Sequence, residues 1–111
     1  MKMTHEEYVD KKRRETAAIA IGMLDGSIHY LEGAIKLSSL RFEIEIQDDD
    51  KDFLAFAGVS SETDHLPLGS AREHWSQEAL DRHEPEIQKT IKWAKEVSLP
   101  ECKSIIERFS A

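Results

Sequence analysis

Hydrophobic residues recur at helical spacing along the first third of the chain. Steps of four and three residues alternate along this apolar stripe, which consists of Ala17, Ile21, Leu24, Ile28, Leu31 and Ile35. The spacing keeps one face of an α-helix apolar, and its phase does not change at Gly26. It therefore predicts one long helix over residues 4–40, kinked near residues 25–27. The alternative is that one helix stops at Gly26 and a second helix starts with Ser27 as its N-cap.

Small residues form a second face on the same predicted helix. At about 100° per residue, three glycines and a histidine fall on one side, namely Gly22, Gly26, His29 and Gly33. Apolar side chains line one edge of that side: Ile19, Met23, Tyr30 and Leu37. A glycine inside a helix costs up to about 1 kcal/mol relative to alanine, so three of them need a reason. We expect close packing of another helix here, either within the bundle or from a second copy in a homodimer.

Capping residues predict where further helices begin. Three pairs have the spacing of a capping box: Thr4 with Glu7, Ser70 with Glu73, and Ser98 with Glu101. Pro85 and Pro100 each suit the first turn of a helix, where the missing N–H has no intrahelical partner. Asp49 or Asp50 can cap a short helix over residues 53–57, which Gly58 would end. The sequence therefore predicts several helices after the first.

Residues 42–46 alternate between apolar and polar side chains in the manner of a strand. No second alternating run exists to pair with them, so we expect a helix end or an extended connection. The predicted fold class is all-α. The chain, residues 1–111, is expected to form a single-domain helical bundle of four to six helices, built around the long N-terminal helix.

Length and composition limit the class of protein. A chain of 111 residues can bury a core without metal or disulfide, and its single cysteine, Cys102, excludes an internal disulfide. The first ten residues contain no apolar signal segment, and the longest apolar run, residues 17–24, is too short to span a membrane. We expect a soluble cytoplasmic protein that does not bind membranes.

The net charge of the chain is concentrated in one segment. The whole chain carries −7, and residues 41–64 carry −6 of it, from eight acidic and two basic side chains. The acidic residues are Glu43, Glu45, Asp48, Asp49, Asp50, Asp52, Glu62 and Asp64. Such a concentration attracts a protein partner with a basic surface and repels nucleic acid. The basic run at residues 11–14 has acidic neighbours at helical spacing, which favours intrahelical pairing over nucleic-acid binding.

Metal-binding patterns are incomplete in this sequence. Asp48, Asp50 and Asp52 match the first, third and fifth positions of a calcium loop. Phe53 and Val59, however, stand where that loop needs a glycine and a bidentate glutamate, so an EF-hand is excluded. The five histidines lack the spacing of zinc proteases, and one cysteine cannot build a structural zinc site. We expect no metal site and no cofactor.

The densest polar cluster spans residues 60–67 and contains hydroxyls, carboxylates and an imidazole. No nucleophile elbow surrounds its serines, and the acid and base are sequence neighbours, which disfavours a catalytic triad. A structured turn, in which Thr63 or Asp64 bonds its own backbone, is the favoured interpretation. No catalytic residue is therefore assigned and the chain is not predicted to be an enzyme, although Glu62, Asp64 and His65 stay as the candidate site of a ligand-binding or enzymatic alternative.

Several short motifs resemble those of a group of small uncharacterised bacterial proteins. They are Leu31-Glu32-Gly33-Ala34, Leu40-Arg41, Asp52-Phe53, Ser61-Glu62-Thr63-Asp64-His65-Leu66-Pro67, and Arg72 followed three residues later by Trp75. The resemblance covers roughly residues 17–107. It implies kinship with that group, and it brings no activity and no catalytic residue with it.

These observations favour a small acidic helical module that binds another protein. Its most concrete form is an immunity or antitoxin-like protein whose carboxylates cover a basic toxin surface, because clustered charges speed encounter and can block such a site. The first alternative is a homodimeric structural or regulatory bundle that associates through the glycine face. The second is the ligand-binding or enzymatic bundle. Trp75 and Trp93, both on predicted helices, are expected to be core anchors, and the alternative for Trp93 is a partly exposed position at an interface.

Overall fold

Helices account for all the regular secondary structure in residues 2–110, the part of the chain that the computed structural model describes. Four α-helices span α1 His5–Asp25, α2 Tyr30–Leu40, α3 Lys51–Glu62 and α4 Gln77–Phe109, and a short 3-10 helix covers Gly69–His74. The predicted all-α bundle of four to six helices is therefore confirmed. None of these helices is long and apolar enough to cross a membrane within the described residues.

The first helix is shorter than predicted. α1 begins as expected at Thr4, whose side-chain oxygen accepts a hydrogen bond from the Glu7 N–H at 3.1 Å. It ends at Asp25, because Gly26 adopts a left-handed backbone with φ of 87° and donates its N–H to the Gly22 carbonyl. The prediction of one long N-terminal helix over residues 4–40 is wrong, and the alternative break at Gly26 is correct.

The second helix restarts only four residues after the break. Its N-cap is His29, which makes no side-chain capping bond, and not Ser27 as the alternative predicted. The intervening residues 26–29 occupy about one helical turn of sequence. The apolar spacing therefore keeps its phase across the interruption, and periodicity alone could not detect it.

The longest element is α4, with 33 residues, at the other end of the chain. It begins after Ser76, whose side chain accepts a hydrogen bond from the Ala79 N–H at 3.1 Å. Pro85 and Pro100 lie inside this helix, so both predicted helix starts, at Pro85 and at the Ser98 capping box, are wrong. A proline inside a helix removes one backbone hydrogen bond. Here the core contacts of α4 outweigh that loss, through Ile87, Ala94, Cys102 and Ile105.

The middle of the chain shows one correct cap and two corrections. Asp50 is the N-cap of α3 and accepts a hydrogen bond from the Asp52 N–H, as predicted. Gly58 does not end this helix, which continues to Glu62. The capping box predicted at Ser70 is absent, since the 3-10 helix begins after Leu68 without a side-chain cap. Residues 41–45 form turns, in keeping with the predicted connection.

The core lies where α2 packs against α1 and α3, and where α4 covers α1 and α3. Its fully buried large side chains include Leu31, Leu37, Ile44, Phe53, Phe56, Val59, Ile87 and Ile105. Ile21 and Leu24 of the predicted apolar stripe are exposed, whereas Ile19 and Met23, on the glycine side, are buried. The break at Gly26 removes the single continuous face, so each of the two helices turns its own apolar side to the core.

Candidate functional site

The predicted glycine face becomes an internal corner between α1 and α2. A Cβ built on Gly22 would lie 2.6 Å from Ile28 Cδ1, and one built on Gly33 would lie 2.4 Å from Met23 Cγ. Both glycines therefore admit a side chain from across the corner, while Gly26 forms the turn itself. His29 is exposed and precedes α2. The close packing is between helices of one chain, and the homodimer prediction loses the continuous helix on which it was based.

Two of the eight acidic residues hold the start of α3 to the end of α4. Arg108 makes a bidentate contact with Asp50, with N–O distances of 2.7 and 3.0 Å, and a further bond of 2.8 Å to Asp52. Asp52 also accepts a hydrogen bond from Ser104 at 2.7 Å. The hydrogen bond from Arg108 lowers the pKa of Asp50. These two carboxylates are therefore occupied within the chain and are poorly placed for a partner.

Two further acids secure the turn at residues 41–45 against α1. Glu43 accepts a hydrogen bond from the Tyr8 hydroxyl, which raises the pKa of that tyrosine, and Glu45 contacts the His5 imidazole. Arg13 adds a bond of 3.0 Å from its Nε to the Ile44 carbonyl. The contacts hold in place a turn in which Glu45 has a positive φ of 54°. Glu43 and Glu45 are thus engaged locally.

The remaining four acids stay available on the surface. Asp48, Asp49, Glu62 and Asp64 are exposed, and no ion pair within residues 2–110 includes them. One pair precedes α3 and the other lies at its end. At a rise of 1.5 Å per residue, the twelve residues of α3 separate the pairs by about 18 Å.

Three surface cavities lie in a row along α3, and we call this row the α3–α4 groove. The first, of about 220 Å³, is lined by Phe42, Asp48 and Leu54 among others. The second, of about 300 Å³, runs from Leu54 past Gly58 to Glu62 and Trp93. The third, of about 340 Å³, shares Glu62 and Trp93 and adds His65, Lys89 and Thr90. Leu54 lines both the first and the second cavity, and Glu62 and Trp93 line both the second and the third.

Apolar side chains form the central part of the α3–α4 groove. Its large hydrophobic side chains keep much of their area exposed: Phe42 75%, Leu54 49%, Val97 44% and Trp93 37%. The Arg41 guanidinium lies 4.4 Å from the Phe42 ring centroid and covers one face of it. Asp48 and Glu62 flank this apolar stretch at its two ends. Contiguous exposed apolar surface with a polar rim is typical of interaction sites.

The polar cluster at residues 60–67 consists of the last residues of α3, which ends at Glu62, and a turn over residues 63–65. The buried Thr63 hydroxyl donates to the carbonyl of Val59 at 3.0 Å, in the way the sequence predicts. His65 Nε2 lies 3.1 Å from Glu86 Oε2, and His83 Nδ1 lies 3.2 Å from Glu86 Oε1, which lowers the pKa of Glu86. The imidazole of His65 thus contacts α4, and its only hydrogen-bond partner within the described residues is Glu86.

Metal chemistry finds no support in the described part of the chain. Between residues 2 and 110, no group of three or more histidine, cysteine, aspartate or glutamate side chains is placed to hold a metal ion. The three aspartates that match the start of a calcium loop make different contacts. Asp50 and Asp52 bind Arg108, and Asp48 lines the α3–α4 groove.

Sequence reasoning identified Asp48, Glu62 and Trp93 and missed the apolar residues between them. Leu54, Gly58 and Glu62 follow one another at intervals of four residues, a signal of one helical ridge. Gly58 was interpreted as a helix end, and this concealed the ridge. The sequence could not connect Val97 to α3, because Val97 and Leu54 come together only in the tertiary structure.

Comparisons with known proteins identify no relative. No protein-family model matches the chain, and neither the curated proteins nor the solved structures contain a significant match. The resemblance over residues 17–107 therefore stays a prediction. The properties of the α3–α4 groove are the basis on which function is inferred.

Proposed function

We propose that the protein is an interaction module whose α3–α4 groove binds a protein segment that is both apolar and positively charged. One observation carries the proposal. Residues 41–64, which hold −6 of the net charge of −7, also supply one wall of the groove, including Phe42, Leu54 and Glu62. One exposed acid therefore lies at each end of the apolar stretch: Asp48, in the same cavity as Arg41, and Glu62, in the same cavity as Lys89.

The two properties would contribute differently to binding. Burial of the exposed apolar side chains supplies affinity, at about 25 cal/mol per Å² of apolar surface, and Trp93 is the residue type most often found at binding hot spots. Asp48 and Glu62 attract a cationic partner over longer distances and orient it along the groove. Two cations line the groove as well: Lys89, beyond Glu62 at the far end, and Arg41, which lies over the Phe42 ring and donates a 2.7 Å hydrogen bond to Ser38.

In its most specific form, the proposal is an immunity or antitoxin-like role. Such a protein would place the groove and its exposed carboxylates over the basic surface of a toxin. Support comes from the four surface acids that lack an internal ion pair within residues 2–110: Asp48, Asp49, Glu62 and Asp64. Asp50 and Asp52 bind Arg108, and Glu43 and Glu45 contact Tyr8 and His5, so the proposal uses only these four of the eight predicted acids.

Binding of a synthetic probe tests the proposal. The probe is an amphipathic peptide of leucine and lysine, and its counterpart has glutamate in place of lysine. We expect the lysine peptide to bind, and Asp48→Asn/Glu62→Gln to weaken binding about tenfold and flatten its salt dependence, since two steering charges are removed. Isothermal titration calorimetry at low and at physiological salt measures both effects.

A matched variant separates local charge from total charge. Asp10→Asn/Glu107→Gln removes two exposed acids that do not line the groove, so the net charge changes equally. The affinity of this variant for the lysine peptide should stay within about twofold of the wild-type affinity. If both double variants weaken binding of the lysine peptide equally, the effect comes from total charge and not from the groove. If the glutamate peptide binds as tightly as the lysine peptide, the proposed partner chemistry is wrong.

A further inference from the structure

Residues 69–84, which we call the strap, run over the surface between two buried anchors. Leu68 is buried on one side and Ile87 is the first buried residue of α4 on the other, whereas none of residues 69–86 is buried. The strap comprises the 3-10 helix, the two residues after it and the first eight residues of α4. Burial of apolar surface is the main compensation for the entropy lost when a chain becomes ordered. The strap receives little of this compensation.

The polar contacts of the strap stay close to it in sequence. Arg72, for example, donates a hydrogen bond to the Pro67 carbonyl at 3.4 Å. Within residues 2–110, no hydrogen bond or ion pair connects the strap to α1, α2 or α3. The later part of α4 differs, because Ser104 and Arg108 both bind Asp52 of α3. The strap is therefore attached to the fold mainly at its two ends.

Pro85 lies at the boundary between the strap and the rest of α4. Proline has no N–H, so the backbone hydrogen bond from residue 85 to the Asp81 carbonyl cannot form, and the proline ring crowds that carbonyl. The eight helical residues before Pro85 are also too few to form a stable helix by themselves, since isolated helices in water need about 12–15 residues. The helical part of the strap therefore depends on side-chain contacts for its stability.

One cluster of side chains supplies these contacts. The Trp75 ring packs edge-on against the His83 imidazole, with 5.0 Å between the ring centroids, and so joins the two helical parts of the strap. His83 Nδ1 lies 3.2 Å from Glu86 Oε1, on the other side of Pro85. The side chains of His83 and Glu86 are 32% and 47% exposed, and polar contacts at the surface contribute little stability. The strap is therefore held closed by a weak cluster.

We infer that the strap opens as one unit while the core stays folded, with hinges next to Leu68 and at Pro85, and that His83 is its latch. Segments with few buried apolar contacts open at a lower free energy than the core. Glu86 contacts the latch through one oxygen and His65 through the other, at 3.1 Å. His65 lines the cavity of about 340 Å³ at the end of the α3–α4 groove, so the strap opens at the border of that cavity. This property is independent of the proposed function.

Amide hydrogen–deuterium exchange of the whole protein tests the inference, because the exchange rate of a segment reports how often that segment opens. In wild type, the amides of residues 80–84 should exchange at least about a hundredfold faster than those of residues 94–105 in the same helix, after correction for sequence. His83→Ala removes the latch and should accelerate exchange in residues 80–84 at least about threefold. Exchange in residues 94–105 should stay within about twofold of wild type.

Two further variants complete the experiment. Trp75→Ala removes the other ring of the cluster and should accelerate exchange in the strap as His83→Ala does, because the two rings contact each other. Lys103→Ala changes an exposed residue in the later part of α4 and should leave exchange in the strap unchanged. The inference is wrong if residues 80–84 of wild type exchange as slowly as residues 94–105. It is equally wrong if His83→Ala accelerates both segments by the same factor, since the strap would then open only together with the core.

Discussion

At the scale of single residues, Gly26 determines where α1 ends. Its φ of 87° is a left-handed conformation that glycine adopts without steric strain. The N–H groups of Gly26 and Ile28 both donate to the Gly22 carbonyl, at 3.1 and 3.0 Å, and so satisfy an acceptor at the end of the helix. No atom lies within 4 Å of a Cβ built at this position. The requirement at Gly26 is therefore conformational and does not come from crowding.

Gly26→Ala should lower the free energy of unfolding by about 1–2 kcal/mol, because alanine is strained in the left-handed region. Gly26→Asn should cost less, since asparagine tolerates that region and also ends helices. Urea denaturation measures the free energy of unfolding of the three proteins, which should decrease from wild type to Gly26→Asn to Gly26→Ala. An alanine variant as stable as wild type would mean that α1 continues through this position in solution.

At the scale of elements, Arg108 links the end of α4 to the start of α3. The side chain of Arg108 is 36% exposed, whereas Asp50 and Asp52 are more deeply buried. Asp50 also caps α3, so a single carboxylate stabilises the helix start and the contact between two helices. A bidentate arginine–carboxylate contact is stronger and more directional than an ordinary surface ion pair.

Arg108→Gln should lower the free energy of unfolding at pH 7 by about 1–2 kcal/mol, because two partly buried carboxylates lose their cation. The pKa of Asp50 is lowered in the folded state, mainly by the Arg108 hydrogen bond. Its contribution is therefore present above the unfolded pKa of about 4 and is lost as pH falls through the folded value. The difference in the free energy of unfolding between Arg108→Gln and wild type should therefore become smaller below about pH 4.

Denaturation curves at several pH values between about 7 and 3 measure this narrowing. Lys103→Gln is the control, since Lys103 is an exposed cation of α4 that makes no ion pair within residues 2–110. It should leave the free energy of unfolding nearly unchanged at every pH. A constant difference between Arg108→Gln and wild type across the whole range would contradict the assigned role of Asp50.

At the scale of the whole molecule, Cys102 reports on the integrity of the core. It is a fully buried residue of α4, and its Sγ lies 3.5 Å from the carbonyl oxygen of Ala20 in α1. Burial raises the pKa of the thiol to about 11. Because thiol reagents attack the thiolate, the folded protein presents neither the charge nor the access that the reaction requires.

Labelling of Cys102 by a disulfide reagent at pH 7 should therefore follow the global unfolding equilibrium. We expect the labelling rate to rise in proportion to the unfolded fraction, about fivefold for each kcal/mol by which a variant such as Gly26→Ala is destabilised. The labelling rate of the protein in native buffer is measured and compared with the labelling rate of the denatured protein. Rapid labelling of the folded wild type would show that the α1–α4 contact opens locally.

Local physics explains what the sequence determined by itself. Thr4 and Asp50 are N-caps because their side-chain oxygens reach backbone N–H groups two or three residues away, within any helix that starts there. The all-α class follows equally from helical periodicity and from the lack of a second strand-like run. The concentration of negative charge in residues 41–64 was also predictable at this level.

Only the tertiary structure decided the rest, because the deciding contacts join distant parts of the chain. Arg108 binds Asp50 across 58 residues of sequence, a contact that neither segment indicates by itself. Core contacts hold α4 together through two prolines that local rules treat as helix starts. The α3–α4 groove exists only where Leu54 and Val97 come together, so its apolar floor has no signature in either segment alone.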